Sequence, residues 1–149
     1  MNGDKLVIEL GAARYALDTA QVAGIVAAES VPFLPGQSGL VRGIISLRNE
    51  PVTVIDLRKV FAPDDPTAET GAGKVIVVRD KNRLIGLAIG SSPVSFMWDE
   101  ELKKSASRGE AGRFTTAVIG PENDPVWIID WRALFTEAAR ILSTEEKGG

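Results

Sequence analysis

PVTVIDLRKVF, Pro51 to Phe61, decides how this chain reads, because it occurs twice. Pro125 to Phe135 is PVWIIDWRALF, an offset of 125 − 51 = 74 residues in a chain of 149. Pro, Val, Ile, Asp, Arg and Phe recur at the same relative places, and the pairs Val54/Ile128, Leu57/Trp131 and Val60/Leu134 stay apolar. Self-similarity at about half the chain length points to one small unit built twice. Each copy is a β-branched run, then an aspartate, then a short stretch suited to helix. That is the order of a strand, an N-cap and a helix.

Outward from the first copy, Leu40 to Leu47 (LVRGIISL) predicts a strand, and Gly43 inside it predicts a bulge or sharp bend. Arg48-Asn49-Glu50 is the turn, since Asn tolerates the left-handed conformation of a tight hairpin. Pro51 opens the next strand, where a missing N–H matters least. Phe114 to Ile119 stands in the same relation to the second copy, turned by Gly120 to Asp124. Two further hairpins are predicted, Lys5–Leu10 with Arg14–Leu17 and Lys74–Arg79 with Leu84–Ile89, and Val94 to Trp98 is another strand. Val94 follows its hairpin as Val22 follows the first. Asp18 to Gln21 reads as a helix start, with Val22, Ile25 and Val26 on one face. Val31 to Gly39, Ala62 to Gly73 and Asp99 to Gly112 are expected loops, the second joining the halves. Asp130 to Leu142 has apolar residues at helical spacing, and Ser143 to Gly149 is an expected flexible tail. The whole is mainly β: two small β-barrels packed together, with short helices and a C-terminal helix. Each half, at roughly 60–70 residues, has a marginal core of its own, so their interface becomes part of the core.

Composition narrows the chemistry. The chain is 44% hydrophobic and 25% charged, the balance of a globular protein. A net charge of −3 and a pI near 5.1 offer no field for nucleic acid. No apolar run approaches the ~20 residues of a membrane span, and no secretory signal is visible, so a cytoplasmic location without membrane insertion is expected. There is no Cys and no His, so thiolate nucleophiles, disulfides, Ser-His catalysis and the commonest metal ligand are all excluded. No metal or cofactor is expected.

The remaining constellations are few. Asp56 and Asp130 occupy matching places and could form a carboxylate pair, but their position between strand and helix favours capping. Asp18-Thr19-Ala20 is similar to the Asp-Thr-Gly loop of aspartic proteases, with Leu84-Ile85-Gly86 as its supporting tripeptide; Ala20 stands where that loop needs Gly. Phe96, Trp98, Trp127 and Trp131 read as core filling rather than a binding patch. Gly36, Gly39 and Gly43 lack the spacing of a phosphate loop. Arg48 is either a surface turn residue or a guanidinium fork offered to a partner's carboxylate or carbonyls.

Leu40 to Leu57 resembles the CheW family, the coupling proteins of bacterial chemotaxis arrays. Val41, Gly43, Ile44, Leu47, Arg48, Val54, Ile55, Asp56, Leu57 and Arg58 fall in register with its central pattern. Leu10-Gly11, Tyr15-Ala16-Leu17, Val22 and Ile25 are similar to the family's opening, Gly86 to Ile89 to its middle, and Val118 to Leu134 to its close. Ser46 replaces a family Asn, Asn49 a Gly and Thr53 a Pro, while Gly24 and Gly90 stand where acids are common. The resemblance implies one CheW-like domain of two SH3-like β-barrel subdomains related by internal duplication. Subdomain 1 spans approximately 12–73, and subdomain 2 approximately 74–142, completed by the N-terminal strand 4–11. It also implies no catalysis and two protein partners: the regulatory domain of a chemotaxis histidine kinase, and the cytoplasmic hairpin tip of a chemoreceptor lying in the cleft between barrels. Partner binding is expected of Val22, Ile25, Leu40, Val41, Gly43, Arg48 and Asn49. A small-molecule-binding double barrel is the alternative reading, and an aspartic protease using Asp18 the enzymatic one.

Overall fold

The computed structural model describes residues 4–28, 33–35, 41–62, 73–98, 114–119 and 125–148. The strands are β1 (Asp4–Leu10), β2 (Ala13–Asp18), β3 (Val22–Ala27), β4 (Phe33–Pro35), β5 (Val41–Leu47), β6 (Glu50–Asp56), β7 (Lys74–Asp80), β8 (Arg83–Gly90), β9 (Val94–Trp98), β10 (Thr115–Ile119) and β11 (Val126–Ile129). A single turn of 3-10 helix covers Thr19–Gln21, and the helices are α1 (Leu57–Phe61) and α2 (Trp131–Gly148).

The strands form two sheets, ordered β10-β11-β2-β1-β9 and β3-β7-β8-β6-β5-β4. The orders correspond: β5, β6, β8, β7 and β3 of the second match β10, β11, β2, β1 and β9 of the first. In both, the successive pairings are antiparallel, parallel, antiparallel and antiparallel. The two copies of the repeated stretch are the matching strands β6 and β11. Each makes the parallel pairing of its sheet, Val54 opposite Gly86 and Ile128 opposite Ala16.

That pairing changes two expectations. Among the described strands both sheets are open, with β10 and β9 at the edges of one and β3 and β4 at the edges of the other, and they do not form the closed SH3-like barrels anticipated. The division into sheets also differs from a cut near residue 73. β7 and β8 join the sheet of β5 and β6, while β1 and β2 join that of β10 and β11. The cause is the parallel step, which needs a crossover and so brings together strands distant in sequence. Three local readings change as well. Val22–Ala27 is a strand rather than a helix face, because this β-branched stretch pairs with β7. Phe33–Pro35 pairs with β5 inside a stretch expected to be loop. α2 runs to Gly148, past the Leu142 end its spacing predicts. The expected loop 99–112 lies outside the described residues, as does nearly all of the linker 62–73.

The main core lies between the sheets. Leu6, Ile8, Leu10 and Leu17 of the first meet Ile55, Ile76, Ile85, Leu87 and Ile89 of the second, with Leu57, Trp131 and Leu134 from the helices. The opposite faces carry smaller clusters: Ile45, Val52, Val54, Val75, Val77 and Ala88 on one, Val7, Ala16 and Val126 on the other. Strands such as β7 are therefore buried on both faces, which is why they read as continuous apolar runs without alternation.

Candidate functional site

The family motif splits into an exposed tip and a buried base. At the tip, Leu47 pairs with Glu50, leaving Arg48-Asn49 as a two-residue loop. Both have positive φ, +51° and +68°, as this kind of hairpin turn requires. Both side chains are exposed. Asn accepts this conformation readily; Arg does so at some strain, so the guanidinium is presented where turn chemistry alone favours Gly, Asn or Asp.

At the base, the bulge predicted at Gly43 is present. Val41 pairs with Ile55 and Gly43 with Val54, making Arg42 the extra residue. A bulge re-aims its side chain, and Arg42 Nε comes to 3.8 Å from Asp56 Oδ2. Asp56 is 2% exposed. Its Oδ1 accepts from the Arg58 backbone N–H at 3.0 Å and from Arg58 Nε at 3.2 Å, and Oδ2 accepts from Arg58 Nη2 at 3.2 Å. Asp56 is thus the cap of α1 and one side of a buried bidentate ion pair. Gly90, at φ +61°, lies under this guanidinium; a Cβ there would sit 2.4 Å from Arg58 Nη1. A side chain at this position would require the guanidinium to shift.

Asp130 caps the second copy, accepting from the Ala133 N–H at 3.0 Å. Its motif arginine behaves differently: Arg132 lies over the Trp131 ring, 5.1 Å from the centroid. Two carboxylates used as caps in separate sheets do not make an acid dyad. Asp18 pairs with Lys5 at the surface, its side chain 51% exposed, which does not suit a protease aspartate either.

The other expected binding residues divide by position. Val22 is half-buried at the margin of the main core, while Ile25, opposite Ile76, is 41% exposed. Between them Gly24 faces open space, so the absent acid leaves this strand uncharged and uncrowded. Val41 is buried in the main core and Gly43 is buried in the bulge, so neither offers a side chain to a partner. Leu40 lies outside the described residues. β3 and β5 are separated by β7, β8 and β6, which is four strand spacings or about 19 Å along the sheet. Val22 and Ile25 thus belong to one surface, and Arg48 and Asn49 to another.

Core filling holds for Trp131, which is buried and donates from Nε1 to Gln21 Oε1 at 2.7 Å. It fails for Phe96, which is 70% exposed. Phe96 lies opposite Leu6 on β1 as Ile25 lies opposite Ile76 on β7, so these two residues, the exposed large hydrophobics among the described residues, occupy corresponding places in the two sheets. The sequence signal was the match of Val94 with Val22, which puts Phe96 near Ile25. The faces turned away from the main core are filled with Val, Ile and Ala side chains, an arrangement that leaves little of the polar-lined pocket a small ligand needs. Tyr15, stacked on Phe61 with ring centroids 4.2 Å apart, has its phenol pKa pushed up by burial.

A family model described as CheW-like domain matches residues 4–139. Among solved structures, the chain is similar to the scaffolding protein TtCheW from Thermoanaerobacter tengcongensis, with a TM-score of 0.64 and 22% identity over 87% of this chain and 89% of that one. No curated protein matches in sequence.

Proposed function

We propose that this chain, which belongs to the CheW-like domain family, is a cytoplasmic, non-enzymatic adaptor that couples chemoreceptors to a histidine kinase. The observation that carries the proposal is the split of the family motif. Its Asp-Leu-Arg segment is buried as structure, while Arg48 and Asn49 are exposed on a two-residue tip. A protruding arginine suits a carboxylate or a row of carbonyls on a folded partner, and we assign this tip to the kinase regulatory domain. The apolar margin at Val22 and Ile25 suits the apolar stripe of a receptor helix. The corresponding strand orders support internal duplication as the origin of the two sheets, with each copy now carrying different surfaces. Weak single contacts are offset by multivalency in an array. Among the described residues no helix is long and apolar enough to cross a membrane.

Arg48→Ala should weaken kinase-domain capture about tenfold or more, the usual effect of truncating an anchoring arginine, while the melting temperature stays nearly constant. Ile25→Glu should abolish capture of a receptor-tip peptide and leave kinase binding intact. Loss of stability without a binding defect in Arg48→Ala, or equal loss of both partners in either variant, overturns the assignment.

A further inference from the structure

The two corresponding edge strands are finished differently. β3 carries a bulge between Val22 and Gly24, a device that disrupts edge pairing. β9 (VSFMW) pairs with β1 in unbroken register from Asp4↔Trp98 to Ile8↔Val94. It contains no charge, no proline and no bulge, and its central residue is the exposed Phe96. Among the described residues no strand pairs with its other side, and an apolar edge of this kind is a template for another strand.

The hydrogen-bond phase of β9 shows which strand fits. The Glu9 N–H donates to Pro93 O at 3.0 Å, continuing the register of the pair. Hydrogen-bonded and non-hydrogen-bonded pairs alternate along an antiparallel ladder. Ser95 and Met97 therefore turn their backbone groups to β1, and Val94, Phe96 and Trp98 turn theirs to the open edge. The outward positions are symmetric about Phe96. An antiparallel copy of the same strand, with Phe96 opposite Phe96, places Val94 against Trp98 on both sides and satisfies every outward N–H and C=O of the five residues. Phe96 of one copy then lies beside Phe96 of the other on the same sheet face, the aromatic cross-strand pair that stabilises such ladders. We infer that β9 is the contact of a twofold homodimer, in which the two five-stranded sheets join edge to edge into one of ten strands. A twofold contact uses the same patch on both copies, and this patch is its own complement. The inference is independent of the receptor and kinase surfaces, which lie on β3 and the β5–β6 tip.

Sedimentation velocity on the full chain, over a series reaching about a millimolar as a small interface demands, should show the mass rising from 15.9 kDa toward twice that value. Phe96→Pro removes an N–H that β1 does not use, so it should yield a monomer with a melting temperature close to wild type; edge strands tolerate proline at such positions. Ser95→Pro removes an N–H that β1 does use and should lower the melting temperature instead. The chain has no cysteine, so the register can be read directly. Ser95 of one copy opposes Met97 of the other in a non-hydrogen-bonded pair, about 4.5 Å between Cα atoms, within disulfide range. Mixing Ser95→Cys and Met97→Cys chains under oxidation should give heterodimers in excess over either chain alone. A monomer throughout the series, a dimer that survives Phe96→Pro, or equal crosslinking in mixed and unmixed samples overturns the inference.

Discussion

At the scale of the residue, the repeat shows how one motif serves two ends. Asp56 and Asp130 both cap a helix, but Asp56 also neutralises guanidinium groups in the interior, Arg58 at 8% and Arg42 at 23% side-chain exposure. Removing one partner of a buried ion pair leaves charge without its counterion and costs about 3–5 kcal/mol, whereas losing an N-cap costs about 1 kcal/mol. Urea denaturation should therefore find Asp56→Ala markedly less stable than Asp130→Ala; equal losses would show that Asp56 acts as a cap alone. The sequence placed both aspartates at helix starts through their strand-to-helix context. It held no sign of the second role, because Arg42 reaches Asp56 through the bulge, and the direction a bulge gives its extra residue is not written in residue types. Gly90 lies beside the same pair: its φ of +61° favours glycine, and a Cβ there would require the end of the Arg58 side chain to shift.

At the scale of the element, the hairpin of β5 and β6 was largely legible, since its bulge, turn and opening proline are local chemistry. β3 was not: Val22, Ile25 and Val26 fit a helical stripe and a bulged strand alike. What decided was pairing with β7, a partner some fifty residues away, and β propensity depends on such context more than helix propensity does. The two-residue turn makes a prediction of its own. Both residues have positive φ, so Asn49→Gly should be neutral or stabilising by under about 1 kcal/mol, and Asn49→Val, β-branched in a left-handed site, should lose about 1–3 kcal/mol. Thermal denaturation of the pair checks this. A loss in Asn49→Gly would mean that the Asn side chain holds the tip through contacts beyond its backbone conformation.

At the scale of the molecule, the repeat disclosed two equivalent units but not how they are dealt between the sheets. A repeat reports what is equivalent, whereas the crossed arrangement comes from two parallel pairings, β6 with β8 and β11 with β2, whose partners share no local signal. The consequence is energetic. The largest cluster lies between the sheets, so neither sheet keeps a full core without the other: Leu87, Ile76 and Ile85 of one pack with Leu6, Ile8 and Leu17 of the other. Separating them would expose both sets, at about 1.5–3 kcal/mol for each large side chain, more than a half-sized core can bear. Unfolding should accordingly be one transition, with far-ultraviolet ellipticity and tryptophan fluorescence coincident in urea. Leu87→Ala, fully buried on β8, should cost about 2–5 kcal/mol and lower amide protection on β1 of the opposite sheet as much as on β8. Protection that fell on β8 and persisted on β1 would mean that each sheet is stable through its outer cluster alone; the small size of the Val7, Ala16 and Val126 cluster argues that the first sheet cannot be.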